Sequence, residues 1–124
     1  MKKVLLILFL FSSTAALAQN EIHQKTVGVF INDFNIGDFE HIYQTFSAAM
    51  KKHRTKQHYF DFFTRVKTDS GKILSLELLK YRDKSGNSRG NYNGSFEFGN
   101  ASVQISVNEK GEIIGIYIKK NTIL

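Results

Sequence analysis

The spacing of apolar residues changes from a helical period to a strand period at Lys72, and this change constrains the fold more than any other feature. Before it, Val27, Phe30, Ile31 and Phe34 recur at i, i+3, i+4 and i+7, which is typical of one apolar helix face. After it, apolar residues alternate, as they do in strands with a covered face. Helices followed by strands predict an α+β fold, with the helices packed on one face of a sheet.

The helical half divides into three predicted helices. The first covers 21–36. The second begins at Asp38, whose carboxylate can accept hydrogen bonds from the free backbone N–H groups at a helix start, and it continues to about Met50. The third begins at Thr55, which can cap a helix in the same way, and ends at the segment 69–71.

The second half predicts four antiparallel strands joined by turns. The first strand starts at Lys72 and carries apolar residues on both faces, which favours a central strand or one covered on each side. The other three strands are predicted around 92–98, 103–107 and 114–118. The segment 108–111 has the composition of a hairpin turn, with glycine placed for a positive φ.

The first eighteen residues are typical of a secretory signal peptide. Lys2 and Lys3 precede an unbroken apolar run over 4–11, and small residues follow as far as Ala18. The run is shorter than the roughly 20 residues that span a bilayer. We therefore expect cleavage after Ala18, no membrane span, and a single domain over 19–124 in the periplasm or outside the cell.

The composition excludes several kinds of site. The chain has no cysteine, so a disulfide framework, a thiolate zinc site and a cysteine nucleophile are ruled out. The four histidines do not have the spacing of a metal site, and we interpret them as surface residues; no metal or cofactor is predicted. The formal charge of +6 falls to +4 when Lys2 and Lys3 are removed with the signal peptide. Such a mildly basic surface favours anionic partners but does not indicate nucleic acid.

The segment 86–90 matches the G-x-S-x-G pattern of serine hydrolases at Ser88. That chemistry needs the serine on a sharp turn from a strand into a helix, with a histidine and an acid nearby. No helix is predicted after Ser88, so we interpret the segment as a polar loop. No catalytic residue is predicted.

Two features have both a functional and a structural interpretation. Glu77 lies within the first strand, where a buried carboxyl would have a raised pKa and could act as a cavity acid or base. The structural interpretation, which we favour, is that Glu77 faces an open sheet surface or pairs with a lysine on a neighbouring strand. The basic residues Lys51, Lys52, Arg54 and Lys56 could bind an anionic surface, or they could form an ordinary solvated loop.

Three segments carry a resemblance to a known family: 37–51 (GDFEHIYQTFSAAMK), 70–73 (SGKI) and 108–119 (NEKGEIIGIYIK). Over about 27–119 the chain is similar to an uncharacterised domain of exported bacterial proteins in the nuclear-transport-factor-2-like superfamily. The resemblance implies a curved four-strand sheet around a long helix, forming a cone with a cavity at its open end. Relatives of this domain often precede a β-lactamase-like serine hydrolase. The superfamily also contains isomerases and dehydratases, whose catalytic residues match no position here.

These observations predict an exported, non-catalytic module that binds a small apolar or amphipathic ligand or a protein partner. Tyr43, Tyr81, Phe96 and Tyr117 are the predicted cavity lining, although core packing explains these aromatic residues equally well. One alternative is a small lyase or isomerase that uses Glu77, and the other is a binder of anionic surfaces. The sheet face would also suit a homodimer.

Overall fold

Three of the helices begin at a polar side chain that caps them. The structure, a computed structural model, describes the backbone of residues 2–121 and the side chains of 18–121, so most side chains of the predicted signal peptide lie outside the described residues. As predicted, Asp38 and Thr55 accept hydrogen bonds from the backbone N–H groups of His41 and His58, three residues further on. The helices are α1 (Lys2–Ile36), α2 (Phe39–Gln44), α3 (Ala48–His53) and α4 (Lys56–Ser70).

Four strands follow the helices and form one antiparallel sheet in the order β1-β2-β3-β4. They are β1 (Ile73–Lys84), β2 (Asn87–Phe96), β3 (Gly99–Val107) and β4 (Ile113–Lys120). N-terminal helices followed by an open antiparallel four-strand sheet confirm the predicted α+β class. No helix in the part of the chain that the structure describes is long and apolar enough to cross a membrane.

The prediction of one continuous helix over 39–50 is wrong, because the chain pairs with the sheet at Phe46. Phe46 forms a parallel bridge with Ile113 at the start of β4. The Ser47 N–H donates to the Ile113 carbonyl at 3.0 Å, and the Ile113 N–H donates to the Thr45 carbonyl at 2.9 Å. Ser47 then caps α3 by accepting from the Met50 N–H. The backbone groups that a single helix would use are therefore bonded to β4.

The segment predicted as a loop around Ser88 is mostly strand. β1 and β2 are joined at Ser85 and Gly86, whose φ angles of 55° and 82° are both positive. Two consecutive positive φ values are typical of a type I′ hairpin turn, which matches the twist of the flanking strands. The register continues from this turn, so that Asp83 lies opposite Ser88.

β1 is an edge strand, and its prediction as a central or doubly covered strand is wrong. Register shifts interrupt its pairing with β2 between Ile73 and Ser75 and between Leu78 and Lys80. The shifts break the regular alternation and leave Leu74 and Leu79 about two-thirds exposed, at 65% and 64%.

The core lies between the helices and one face of the sheet. It contains buried residues of α1, α2, α4 and the strands, including Phe30, Phe34, Ile42, Phe63, Phe96, Val103, Ile105 and Ile113. Phe34 is at its centre, with its ring edge-on to those of Phe63 and Phe96 at centroid distances of 6.5 and 6.4 Å. Burial of each such side chain contributes roughly 1.5–3 kcal/mol. The opposite sheet face carries polar side chains such as Arg89, Gln104 and Tyr117.

Candidate functional site

The first candidate site is a groove between α3, α4 and the edge strand β4, which we call the helix-side groove. It has a volume of about 570 Å³. Its lining comes from three parts of the chain: Ala49, Met50, His53 and Arg54, then His58, Tyr59 and Phe62, then residues 114–116. Ligand pockets typically have volumes of roughly 300–1,000 Å³, so the groove is large enough for a small molecule.

The floor of the helix-side groove is apolar and fixed in position. Met50, Phe62 and Ile116 are partly buried and pack against the core. The Tyr59 hydroxyl donates to the Met50 carbonyl at 2.7 Å, which ties α4 to α3. Burial raises the pKa of the Tyr59 hydroxyl above its ordinary value, so this donor keeps its proton at neutral pH.

The rim of the helix-side groove is basic. His53, Arg54 and His58 line the groove and also line a shallower depression beside it, which Lys51 and Lys52 share. Neither lining contains an aspartate or a glutamate. The structure thus brings three members of the predicted basic patch, Lys51, Lys52 and Arg54, to the mouth of an apolar groove.

Lys56, the fourth member of that patch, lies against α2. Its ammonium group pairs with the Glu40 carboxylate at 2.5 Å. The same group lies 5.4 Å from the centroid of the Tyr43 ring and 5.6 Å from that of Phe60. Its charge is therefore compensated by a carboxylate and two aromatic faces.

The second candidate site is a groove on the open face of the sheet, which we call the sheet-face groove. It has a volume of about 540 Å³, and most of its lining residues have polar or charged side chains. Its lining consists of Arg82, Lys84, Asn87, Ser88, Arg89, Gln104, Ser106 and residues 114–117. Residues 114–116 of β4 line both grooves, so this edge strand separates them.

A buried polar cluster joins α1 to the sheet. His23 Nδ1 lies 2.7 Å from Ser88 Oγ, and His23 Nε2 lies 2.8 Å from the Tyr92 hydroxyl oxygen. Gln19 Nε2 also donates to Ser88 Oγ, at 3.1 Å. Burial lowers the pKa of His23 and raises the pKa of Tyr92 to about 12, so both are neutral at neutral pH.

The directions of these hydrogen bonds follow from the single hydroxyl proton of Ser88. That proton is donated to the Val107 carbonyl at 3.3 Å. We therefore assign the imidazole proton to Nδ1, so that Ser88 Oγ accepts from His23 and Nε2 accepts from the Tyr92 hydroxyl. Gln19, His23, Ser88 and Tyr92 each have a partner in this network, whereas the buried hydroxyl of Tyr81 beside it has none among the residues that the structure describes.

The interpretation of His23 as a surface residue is wrong, because its side chain is only 1% exposed. A signal for its burial was present in the sequence. His23, Val27, Phe30 and Phe34 are spaced at i, i+4, i+7 and i+11, so His23 continues the apolar stripe of α1.

The Ser88–His23 pair resembles a hydrolase dyad in its atoms but not in its surroundings. Ser88 is 1% exposed, so a substrate carbonyl has no access to its hydroxyl. It lies in β2 and not on a strand-to-helix turn. Gly90 has a packing role, since a Cβ there would lie 2.5 Å from the Tyr92 hydroxyl oxygen. The cluster therefore fixes α1 on the sheet.

The four predicted lining residues lie in different parts of the fold. Tyr43 is half-buried on α2, and the ammonium groups of Lys51 and Lys56 lie 5.5 and 5.4 Å from the centroid of its ring. Tyr81 packs edge-on against His23 at a centroid distance of 5.2 Å.

Phe96 is a buried core residue, whereas Tyr117 is 55% exposed in the sheet-face groove. Glu77 is exposed on β1 opposite Asn93, and it does not line either groove. The structure thus brings one predicted residue, Tyr117, to the sheet-face groove and another, Arg54, to the helix-side groove.

A comparison with known families matches most of the chain. A family described as "Protein of unknown function (DUF3887)" matches residues 29–116. The matched segment includes every lining residue of the helix-side groove and all but Tyr117 of the sheet-face groove, while Gln19 and His23 lie before it. No curated protein and no solved structure matches the chain.

Proposed function

Because the chain belongs to the DUF3887 family, whose function is unknown, we propose a function from the geometry of its grooves. The protein is an exported, non-catalytic binding domain whose helix-side groove takes an amphipathic anion. The observation that supports this proposal is the apolar floor of Met50, Phe62 and Ile116 beside a rim of Arg54 and histidines, with no acidic residue in the lining.

An amphipathic carboxylate fits both parts of this groove. Its alkyl chain would lie along the apolar floor, where each buried CH₂ contributes roughly 0.8 kcal/mol. Its head group would accept hydrogen bonds from the Arg54 guanidinium, a planar donor that can bind a carboxylate through two parallel bonds. A neutral amphiphile would keep the contribution of the buried alkyl chain and lose the hydrogen bonds to Arg54. A soluble anion would lose the contribution of the alkyl chain.

Two observations favour binding over catalysis. The Ser88–His23 pair is enclosed by the core and holds α1 on the sheet. Glu77, the carboxylate of the lyase or isomerase alternative, is exposed on the edge strand.

Export is supported by the basic, apolar and small-residue order of the first eighteen residues. Cleavage after Ala18 would keep Gln19, whose side chain donates to Ser88 Oγ and to the Asn108 carbonyl. The mature chain would therefore retain the polar cluster. We also propose membership of the nuclear-transport-factor-2-like superfamily, and the long helix α1 packed along an antiparallel sheet supports it.

The test is isothermal titration of the exported protein with decanoate, a ten-carbon carboxylate. Ala49 is exposed on α3 and lines the groove, so Ala49→Leu adds bulk there without changing the charge. Arg54→Gln removes the rim cation. We expect Arg54→Gln to weaken binding by roughly three- to tenfold, the equivalent of about 0.7–1.4 kcal/mol, and Ala49→Leu to weaken it at least as much.

Arg65→Gln is the matched control, since Arg65 is exposed on α4 and does not line either groove. Equal affinity of decanoate for Arg54→Gln, Ala49→Leu and the control would contradict the proposal. Tight binding of the uncharged amphiphile octyl glucoside, unchanged by Arg54→Gln, would show an apolar site without the anionic preference.

A further inference from the structure

Two arginines face each other on the open side of the sheet. Arg82 of β1 and Arg89 of β2 are directly opposite in the register, and both are exposed. Lys84 lies two residues further along β1 and lines the same groove. Like charges in a cross-strand pair repel each other and destabilise a sheet. Among the residues that the structure describes, none of the three belongs to an ion pair.

The Arg89 guanidinium is oriented by the sheet. Its Nε–H donates to Ser106 Oγ on β3 at 3.4 Å, and Ser106 lies opposite Arg89 in the register. The terminal nitrogens of Arg89 then remain available as donors beside those of Arg82. An anion between the two guanidinium groups would cancel their repulsion and could accept paired hydrogen bonds from each.

The next row of side chains on this face runs from Lys80 of β1 through Asn91 of β2 and ends in an aromatic ring. Gln104 of β3 is opposite Tyr117 of β4, two residues along from the row of Arg89 and Ser106. Rows separated by two residues are roughly 6.5–7 Å apart along the strands. Gln104, Ser106 and Tyr117 all line the sheet-face groove, and Tyr117 is more than half exposed.

We propose that the sheet-face groove binds an acidic polysaccharide whose sugar rings carry carboxylates. A uronate ring presents a carboxylate, hydroxyl groups and an apolar C–H face. The arginine pair suits the carboxylate. The amide and hydroxyl of Gln104 and Ser106 can both donate to and accept from sugar hydroxyls, and Tyr117 provides a flat surface for the ring. A simple phosphate or sulfate ion would use the cations alone.

The groove also has an open floor at Gly115. Gly115 is opposite Ser106 in the register, and a Cβ built on it would lie 3.7 Å from Ser106 Cβ, an ordinary contact distance. The backbone there therefore accepts a larger residue, whose side chain would extend beside Ser106 into the groove. Gly115→Val blocks the proposed site without changing its charge.

The experiment measures the affinity of the full exported protein for oligogalacturonate, with dextran as the uncharged polymer. We expect oligogalacturonate to bind and dextran to bind much less. Arg82→Gln and Arg89→Gln should each weaken oligogalacturonate binding about tenfold, as expected for the loss of a hydrogen bond to a charged group. Tyr117→Ala and Gly115→Val should each weaken it severalfold. Arg65→Gln is again the control.

Loss of binding must be separated from loss of folding. Removal of one arginine relieves the cross-strand repulsion, so the melting temperature of Arg82→Gln should equal or exceed that of the wild type. Decanoate binding by Arg82→Gln should be unchanged. The proposal for the sheet-face groove can therefore fail independently of the proposal for the helix-side groove.

Two results would overturn the assignment. Equal oligogalacturonate affinity of Arg82→Gln, Arg89→Gln and the Arg65→Gln control would exclude this groove as the site. If polyphosphate competed as well as oligogalacturonate, and Tyr117→Ala had no effect, the site would recognise charge alone and not a sugar.

Discussion

The buried cluster gives the sharpest stability prediction, through the change Ser88→Ala. The substitution removes one hydroxyl and creates little space. It deprives His23 Nδ1 of its acceptor, Gln19 Nε2 of one acceptor, and the Val107 carbonyl of a donor. Gln19 keeps a longer bond to the Asn108 carbonyl, at 3.4 Å. The main loss is therefore the imidazole N–H, which would be left unpaired.

The magnitude follows from the burial of His23. A buried donor without a partner costs roughly 1–3 kcal/mol, and His23 is 1% exposed, so water has little access to replace Ser88. We expect the free energy of unfolding to fall by about 2 kcal/mol. In a domain of about 100 residues, this corresponds to a decrease in melting temperature of roughly 8–12 °C.

The assay is thermal and urea unfolding of Ser88→Ala beside Ser75→Ala, the same change at an exposed position of β1. The urea midpoint of Ser88→Ala should fall while the slope of the transition stays the same, since the fold is retained. Equal melting temperatures for the two variants would refute the assignment of a structural role to the cluster. A catalytic serine would show the opposite pattern, in which stability is kept and an activity is lost.

The remaining predictions concern a pH effect and a backbone effect. The hydrogen bond and charge of Asp33 raise the pKa of His41, so the contribution of this pair to stability is full below pH 6.5 and is lost as the pH rises through the raised pKa. The melting temperature of His41→Asn should therefore lie below that of the wild type at pH 5.5 and approach it at high pH; a constant difference would contradict this. At Gly71, φ is 79° and a Cβ would lie 2.7 Å from Glu97 Cβ, so Gly71→Ala should cost roughly 1–3 kcal/mol in urea unfolding. Gly28→Ala, at an open position of α1, should be neutral or stabilising by up to about 1 kcal/mol, and equal losses at the two glycines would refute the reasoning.

The parts of the fold that local signals determine were predictable from the sequence. The change of period at Lys72 predicted helices followed by strands, and Asp38 and Thr55 indicated the starts of two helices through their capping side chains. The break at Phe46 was not predicted, because it depends on pairing with Ile113, which is far away in the chain. A contact between such distant residues does not change the spacing of apolar residues in the local sequence.

The candidate sites were predictable only as isolated residues. Arg54 and Tyr117 were identified by charge and by aromatic character, but their grooves are assembled from segments that are distant in the chain. The facing pair of Arg82 and Arg89 depends on the register set by the tight turn at Ser85 and Gly86, whereas the segment 86–90 was predicted to be a polar loop with no strand register. A register shift of one residue would turn one of these arginines toward the other face of the sheet.

The shared strand β4 explains why two adjacent grooves have different chemistry. Alternate residues of a strand face opposite sides, so Ile116 contributes to the apolar floor on the helix side while Tyr117 projects on the open side. The helix side must be apolar because it continues the core, and only its outer rim at Arg54 is free to carry charge. No helix within the described residues 2–121 covers the open side, so basic residues such as Arg82 and Arg89 stay exposed there without the cost of burial. An alkyl chain is therefore suited to the first groove and a hydroxyl-rich anion to the second, and one edge strand can serve both.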